Sequence, residues 1–92
     1  MKTLADYRVD IDRIDEQIVK LLVERFHIVD AVGHLKAREG ITVVQSKRAE
    51  EVKDRVATLA QKQGLDGELL RAIYTLLIDH AHVLEHAIEG KK

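Results

Sequence analysis

Arg25 and Lys36 are the residues of this 92-residue chain whose types and spacing point to chemistry. Arg25 stands in an otherwise apolar series: Tyr7, Ile11, Ile14, Ile18, Leu21, Ile28, Val32 and Leu35. The alternating three- and four-residue spacing marks the buried stripe of a long helix. A guanidinium in such a stripe gives up hydration and needs an anion in its place. No Asp or Glu interrupts the stripe, so the anion comes from another part of the chain or from outside it. Lys36 follows about three helical turns later and returns to nearly the same face, roughly 16 Å along the axis. Two cations on one buried face form a pocket for a small anion. The plainer alternative for Arg25 is a buried ion pair with a carboxylate of a later helix.

Arg8 lies about 25 Å from Arg25 along the same helix, too far to touch that anion from the same chain. It is either a solvated residue of the first turns or a contribution to a site built mainly by a partner subunit. His82 and His86 are four apart with Asp79 just before them, a spacing that metal ligands use. A fourth ligand is not evident and His80 faces elsewhere, so polar surface is the simpler reading and no metal is expected.

Composition narrows the classes. Hydrophobic residues make up 46% and charged residues 34%, with no Pro and three aromatics, a balance typical of all-α bundles rather than sandwiches or barrels. A net charge of -1 lacks the basic excess of general nucleic-acid binders. Without cysteine there is neither a disulfide nor a thiolate zinc site. The first eight residues lack a signal-peptide apolar core, and no apolar run approaches membrane-spanning length, so a soluble cytoplasmic protein is expected. Lys53, Asp54, Lys62 and Lys91 read as a solvated face.

Three helices position these residues in a single domain, 1–92. Thr3 and Asp6 resemble a capping box, and the apolar period continues to about Glu39, where Gly40-Ile41 reads as a left-handed stop. The first helix is thus about 54 Å long. Gly40 to Gln45 is a linker. Ser46 is expected to cap a second helix with Ala49, Val52, Val56 and Leu59 on its apolar face, ending at Gly64-Leu65. Asp66 is expected to cap a third, carrying Leu69, Ile73, Leu76, Leu77, Ala81, Leu84 and Ile88. A compact domain of this length has a radius of gyration of roughly 12 Å, so shorter helices cover a 54 Å rod only end to end or with help from another chain. An intertwined homodimer is the economical solution, and a long coiled-coil hairpin the competitor.

Taken together, Arg8, Ile11-Asp12-Arg13-Ile14-Asp15, Leu21-Leu22, Glu24-Arg25, Val32-Gly33, Lys36, Arg48 and Gly64-Leu65-Asp66 resemble the all-helical AroQ chorismate mutases over nearly the whole chain. The resemblance implies an intertwined all-helical dimer that rearranges chorismate, a dicarboxylate with an enol-pyruvyl ether, to prephenate in the shikimate pathway toward aromatic amino acids. The reaction is pericyclic and requires no nucleophile, metal or cofactor. By the resemblance, Arg25 and the partner's Arg8 clamp carboxylates in bidentate fashion. Lys36 donates to the ether oxygen, Arg48 positions the ligand, and Glu85 stands where bacterial enzymes often carry Gln. The alternative role for Glu85 is ion-pair partner of Arg25 or Lys36.

The sequence also departs from that family's commonest pattern. Gln45 and Ala49 occupy positions where many mutases carry acidic residues around the substrate hydroxyl, and Ala81 stands where a small hydroxyl residue often meets a carboxylate. Gln45 can still hydrogen-bond the ligand, whereas the two alanines cannot through their side chains. These gaps leave open a relative of similar fold and cation set, isochorismate pyruvate lyase, which releases salicylate and pyruvate. A non-enzymatic helical interaction module accounts for the apolar stripe but not for the cation set.

Overall fold

A computed structural model describes residues 1–90, and Lys91 lies outside them. Helix α1 spans Leu4–Glu39. It opens with a true capping box: the Asp6 N–H donates to Thr3 Oγ1 at 3.2 Å, and the Thr3 N–H donates to the Asp6 carboxylate at 2.8 Å. The bond from the Thr3 backbone, seconded by its hydroxyl, holds the Asp6 carboxyl below its ordinary value. At the other end Gly40 takes the left-handed conformation, with φ 69°, and the Ile41 N–H donates back to the Lys36 carbonyl at 2.9 Å.

Helix α2 spans Ser46–Lys62 and α3 spans Gly67–Glu89. Ser46 does not cap α2. Gln45 holds the cap position without a side-chain bond to the helix, because its Nε2 donates backward to the Thr42 carbonyl at 2.8 Å. The stop at Gly64 is left-handed, with φ 80°, and the Leu65 N–H donates to the Ala60 carbonyl at 2.8 Å. Asp66 caps α3 as its sequence suggests, accepting from the Glu68 N–H at 2.9 Å.

Helix α3 packs on both of the others, while α1 and α2 do not pack on each other. Against α1 it runs in the same direction: Phe26 meets His80 edge-on at 5.4 Å, and Gly33 faces Glu85 and Ile88. Against α2 it runs the opposite way, with Arg71 bound to Asp54 at 2.6 Å and Glu50 at 3.0 Å. Asp54 is thus solvated but paired, and Lys53 is only 18% exposed rather than part of a fully solvated face. The core is small: Ala37, Val43, Val52, Val56, Ala57, Ala60, Ile78 and Ala81.

Proportion decides what stays uncovered. The 23 residues of α3 cover roughly 35 Å of a neighbour, well short of α1. The molecule accordingly measures 58 × 25 × 14 Å, with a radius of gyration of 16.7 Å. Within one chain the expected buried stripe is therefore largely bare: Tyr7, Ile11, Ile14, Ile18, Leu21 and Ile28 are exposed, Leu21 to 64%. Leu59, Leu69, Ile73 and Leu76, expected on packed faces of α2 and α3, are exposed as well. Ile78, Ala57 and Ala60 are buried in their stead. Among the described residues no helix is long and apolar enough to cross a membrane.

The α1–α3 crossing depends on the missing side chain of Gly33. A Cβ there would lie 2.8 Å from Ile88 Cδ1, 3.2 Å from Glu85 Cγ and 3.4 Å from Glu85 Cα. Gly33→Val adds two further methyl groups and is expected to destabilise the fold by about 1–3 kcal/mol through overpacking. Thermal unfolding checks this, since each 1 kcal/mol lowers Tm by about 4–8 °C in a domain of this size. An unchanged Tm would show that the crossing has slack the contact distances do not suggest.

Candidate active site

Stripes from three helices face a common cleft of about 620 Å³. From α1 come Arg25, Ile28, Val29, Val32 and Lys36, and from α3 come Ile78, Ala81, His82 and Glu85. The start of α2 and its preceding linker add Val43, Gln45, Arg48, Ala49, Val52 and Arg55. Each set follows helical three-and-four spacing, so the apolar periodicity that packs the helices also aims these polar heads at one space.

At the floor of the cleft Lys36 Nζ lies 2.8 Å from Glu85 Oε1 and donates to the Val43 carbonyl at 2.8 Å. Glu85 is 4% exposed, the single charged residue in the core. Its Oε1 is close enough to Nζ for Coulombic pairing but outside hydrogen-bond geometry, and so has no donor. Removing one member of a buried pair strands the other charge, at a typical cost of about 3–5 kcal/mol. The ion-pair role for Glu85 with Lys36 is realised in the ligand-free chain, while its pairing with Arg25 is not.

Among the described residues Arg25 has no carboxylate partner. Its guanidinium sits 5.5 Å from the centre of the Tyr74 ring, and Nη1 is buried without a hydrogen-bond acceptor. A buried, unmet donor costs about 1–3 kcal/mol, more when charged, and an anionic ligand would relieve it. The plainer alternative for Arg25, an ion pair with a later helix, finds no carboxylate among the described residues, and the anion-binding reading keeps its donor.

Other residues divide clearly. Arg48 reaches the rim with its side chain 67% exposed, 3.9 Å from Glu51. Gln45 lines the cleft with its amide nitrogen already used by Thr42, leaving its amide oxygen as an acceptor. Ala49 and Ala81 provide wall without polar side-chain atoms. Arg8 is exposed and does not line the cleft of its own chain. His82 lines the cleft rather than joining Asp79 and His86, and His86 sits 3.6 Å from Glu89. No group of three His, Cys, Asp or Glu converges among the described residues. Arg55 is the lining cation that sequence reasoning passed over, although its position seven residues after Arg48 puts both on one face of α2.

The lining holds four obligate cations, Arg25, Lys36, Arg48 and Arg55, against one carboxylate. It contains no Ser, Thr or Cys to act as a nucleophile. Such a site works by gripping an anion, fixing its conformation and stabilising negative charge that develops on it.

Comparison with known proteins gives this chemistry a family. Residues 7–86 match the family described as chorismate mutase type II. Similar proteins include a chorismate mutase of Methanocaldococcus jannaschii, 31% identical over 85 residues that cover 92% of this chain and 86% of that protein. A 4-amino-4-deoxychorismate mutase of Streptomyces venezuelae is 30% identical, covering 97% of this chain and 86% of the relative. An isochorismate pyruvate lyase of Pseudomonas aeruginosa is 34% identical, over 89% and 79% respectively. With a match spanning most of its length and a cation-lined cleft between its three helices, the chain belongs to the chorismate mutase type II family.

Proposed function

We propose that this chain is a chorismate mutase, an isomerase that converts chorismate to prephenate on the way to phenylalanine and tyrosine in the cytoplasm. The observation that carries the reading is the buried, unpartnered Arg25 Nη1 at a cleft whose floor is the Lys36–Glu85 pair. In the rearrangement the ether C–O bond breaks as a C–C bond forms, with negative charge building on the ether oxygen. Arg25 clamps a carboxylate and Arg48 steadies the ligand from the rim, so that the reacting carbons are held in the folded, diaxial conformer. Gln45 offers its amide oxygen to the ligand. Lys36, already anchored by Val43 and Glu85, is pre-oriented to meet the developing charge without reorganising. The apolar wall of Val32, Val52 and Ile78 excludes water from the ring.

The assay that tests this supplies chorismate and isochorismate separately to purified protein. Prephenate from chorismate is the expected product. Salicylate and pyruvate from isochorismate, with negligible prephenate, would make the chain a lyase like its Pseudomonas relative. Binding of a protein partner with no turnover of either compound would favour an interaction module instead.

The same reading includes a homodimer. The bare stripe of α1 is larger than a lone soluble domain ordinarily exposes, and a second α1 laid along it would bury it. Arg8, too far from its own cleft, then reaches the partner's as a second carboxylate clamp. Sedimentation at micromolar concentration is expected to give twice the chain mass, and a folded monomer there would remove Arg8 from the site. Arg8→Ala and Arg25→Ala are each expected to be nearly inactive. Mixed under subunit exchange, they should regain part of the activity, because one site of the mixed dimer carries both defects and the other neither. No recovery despite proven exchange would mean that both arginines act within one chain.

Glu85 supplies a further test. A carboxyl donates to the ether oxygen only when protonated, and an ionised one repels the developing charge. Glu85→Gln, a permanent donor of the same shape, should therefore retain turnover. Loss of an oxyanion donor typically costs about 2.7–4 kcal/mol, so Glu85→Ala should be crippled at every pH. Loss of turnover in Glu85→Gln, with the fold intact, would leave Glu85 only its pairing role with Lys36.

A further inference from the structure

Two groups in the cleft lie outside the mechanism above: the Arg55 guanidinium on α2 and the His82 imidazole on α3. Arg55 enters no ion pair with the described carboxylates, and His82 follows Ala81 on the wall that also includes Ala49. The anionic side of the ledger is correspondingly thin. The one carboxylate that lines the cleft is Glu85, and Lys36 already lies 2.8 Å from it. Glu51 approaches Arg48 from outside the lining, at 3.9 Å and 54% exposed. Around the ligand the field is therefore positive on the α1 and α2 sides, and no uncommitted anion faces the substrate.

We infer that Arg55 is a specificity-determining residue, making the cleft selective for a ring that carries a neutral hydroxyl over one that carries an ammonium. This rests on the reading of the site as a chorismate mutase. The relevant competitor is 4-amino-4-deoxychorismate, the compound in the name of the Streptomyces relative. It keeps both carboxylates and replaces the ring hydroxyl by an amine, which as an alkylamine is mostly protonated at neutral pH. Its carboxylates would be gripped as before, but its ammonium would share the cleft with the guanidinium of Arg55, which lines it from an exposed position on α2. Like charges so placed disfavour binding, by an amount that solvent at the exposed guanidinium keeps modest. An acidic side chain at position 49 or 81 would offset this, and both positions are alanine. The overall likeness to a mutase of the amino compound is therefore outweighed by the charges that line this particular cleft.

The test compares kcat/KM for chorismate and for 4-amino-4-deoxychorismate with the full-length native protein. A preference for chorismate of about fivefold is expected, the size that repulsion from a solvent-exposed cation gives. Arg55→Gln, at an exposed helical position that tolerates substitution, should narrow the ratio, and Arg55→Glu should narrow it further by supplying the missing anion. His82→Val should leave the preference in place but lower kcat/KM for both compounds. Equal use of the two compounds, or a ratio that Arg55→Glu does not move, would overturn the inference. Absence of turnover of either compound would overturn the mutase reading instead. Calorimetry with the two unconverted compounds would then still decide the selectivity: tighter binding of chorismate supports it, and equal or tighter binding of the amine sinks it.

Discussion

The buried contact between Lys36 and Glu85 is the constraint around which the fold and the site are jointly arranged. Neither side chain would be held in a small apolar core alone, since an isolated buried charge is among the costliest features a fold can carry. Together they are tolerated because α1 and α3 cross closely enough for Nζ and Oε1 to sit 2.8 Å apart, with the Val43 carbonyl accepting a hydrogen bond from Nζ. That closeness comes from Gly33, one turn before Lys36, whose absent side chain would collide with Ile88 and Glu85. A residue chosen for packing thus sets the geometry of the residues proposed for chemistry. The same crossing fixes the linker, because Val43 is both the acceptor for Lys36 and the most deeply buried apolar residue of the core at 2% exposure.

A 36-residue helix in a 92-residue chain forces a division of labour along its length. Its second half is clothed by α3, with α2 across the cleft, and carries Arg25 and Lys36. Its first half is clothed by nothing in the same chain, and displays a row of isoleucines to solvent. An apolar face of that extent is unstable in water on its own, so the free energy that completes this fold must come from beyond one chain's contacts. The proposed dimer answers that need and, in the same step, makes Arg8 useful. That proposal would build the site at a subunit boundary, and its ground is helix length and the bare apolar face rather than any particular substrate.

Much of this was readable from periodicity and caps. The extent of α1, the left-handed stops at Gly40 and Gly64, and the Thr3 and Asp66 caps all appear as their residue types suggest, because each is decided by local hydrogen bonding. Ser46 misled because a hydroxyl before a helix is only a candidate cap. Gln45 took the position once its own amide was committed to Thr42. Which apolar face is buried was not readable from one chain's pattern: Leu59, Leu69 and Leu76 keep helical spacing yet remain outside, since periodicity shows that a face is apolar and not what covers it. Of the site, Arg25, Lys36, Arg48, Gln45 and Glu85 were placed together by spacing and resemblance. Arg55 and His82 were not, because a surface-like Arg on a polar helix and a His among several histidines carry no distinguishing local signal. Only the convergence of three helices shows that they share a space with Arg25.

Arg25 and Glu85 illustrate two ways of keeping a charge ready. Glu85 meets its counterion within the chain, so its field is partly neutralised before any ligand arrives. Arg25 meets only the face of Tyr74, an attraction that orients the guanidinium without satisfying its buried Nη1. The ligand-free fold is thereby less stable than it would be with an apolar residue at 25, a deficit that an incoming carboxylate removes. Binding energy recovered in this way is available to hold the reacting carbons in an otherwise disfavoured conformer. The two charges consequently play different parts. In the proposed mechanism the unsatisfied one would draw the substrate in, and the paired one would hold the Lys36 ammonium in place as charge grows on the ether oxygen.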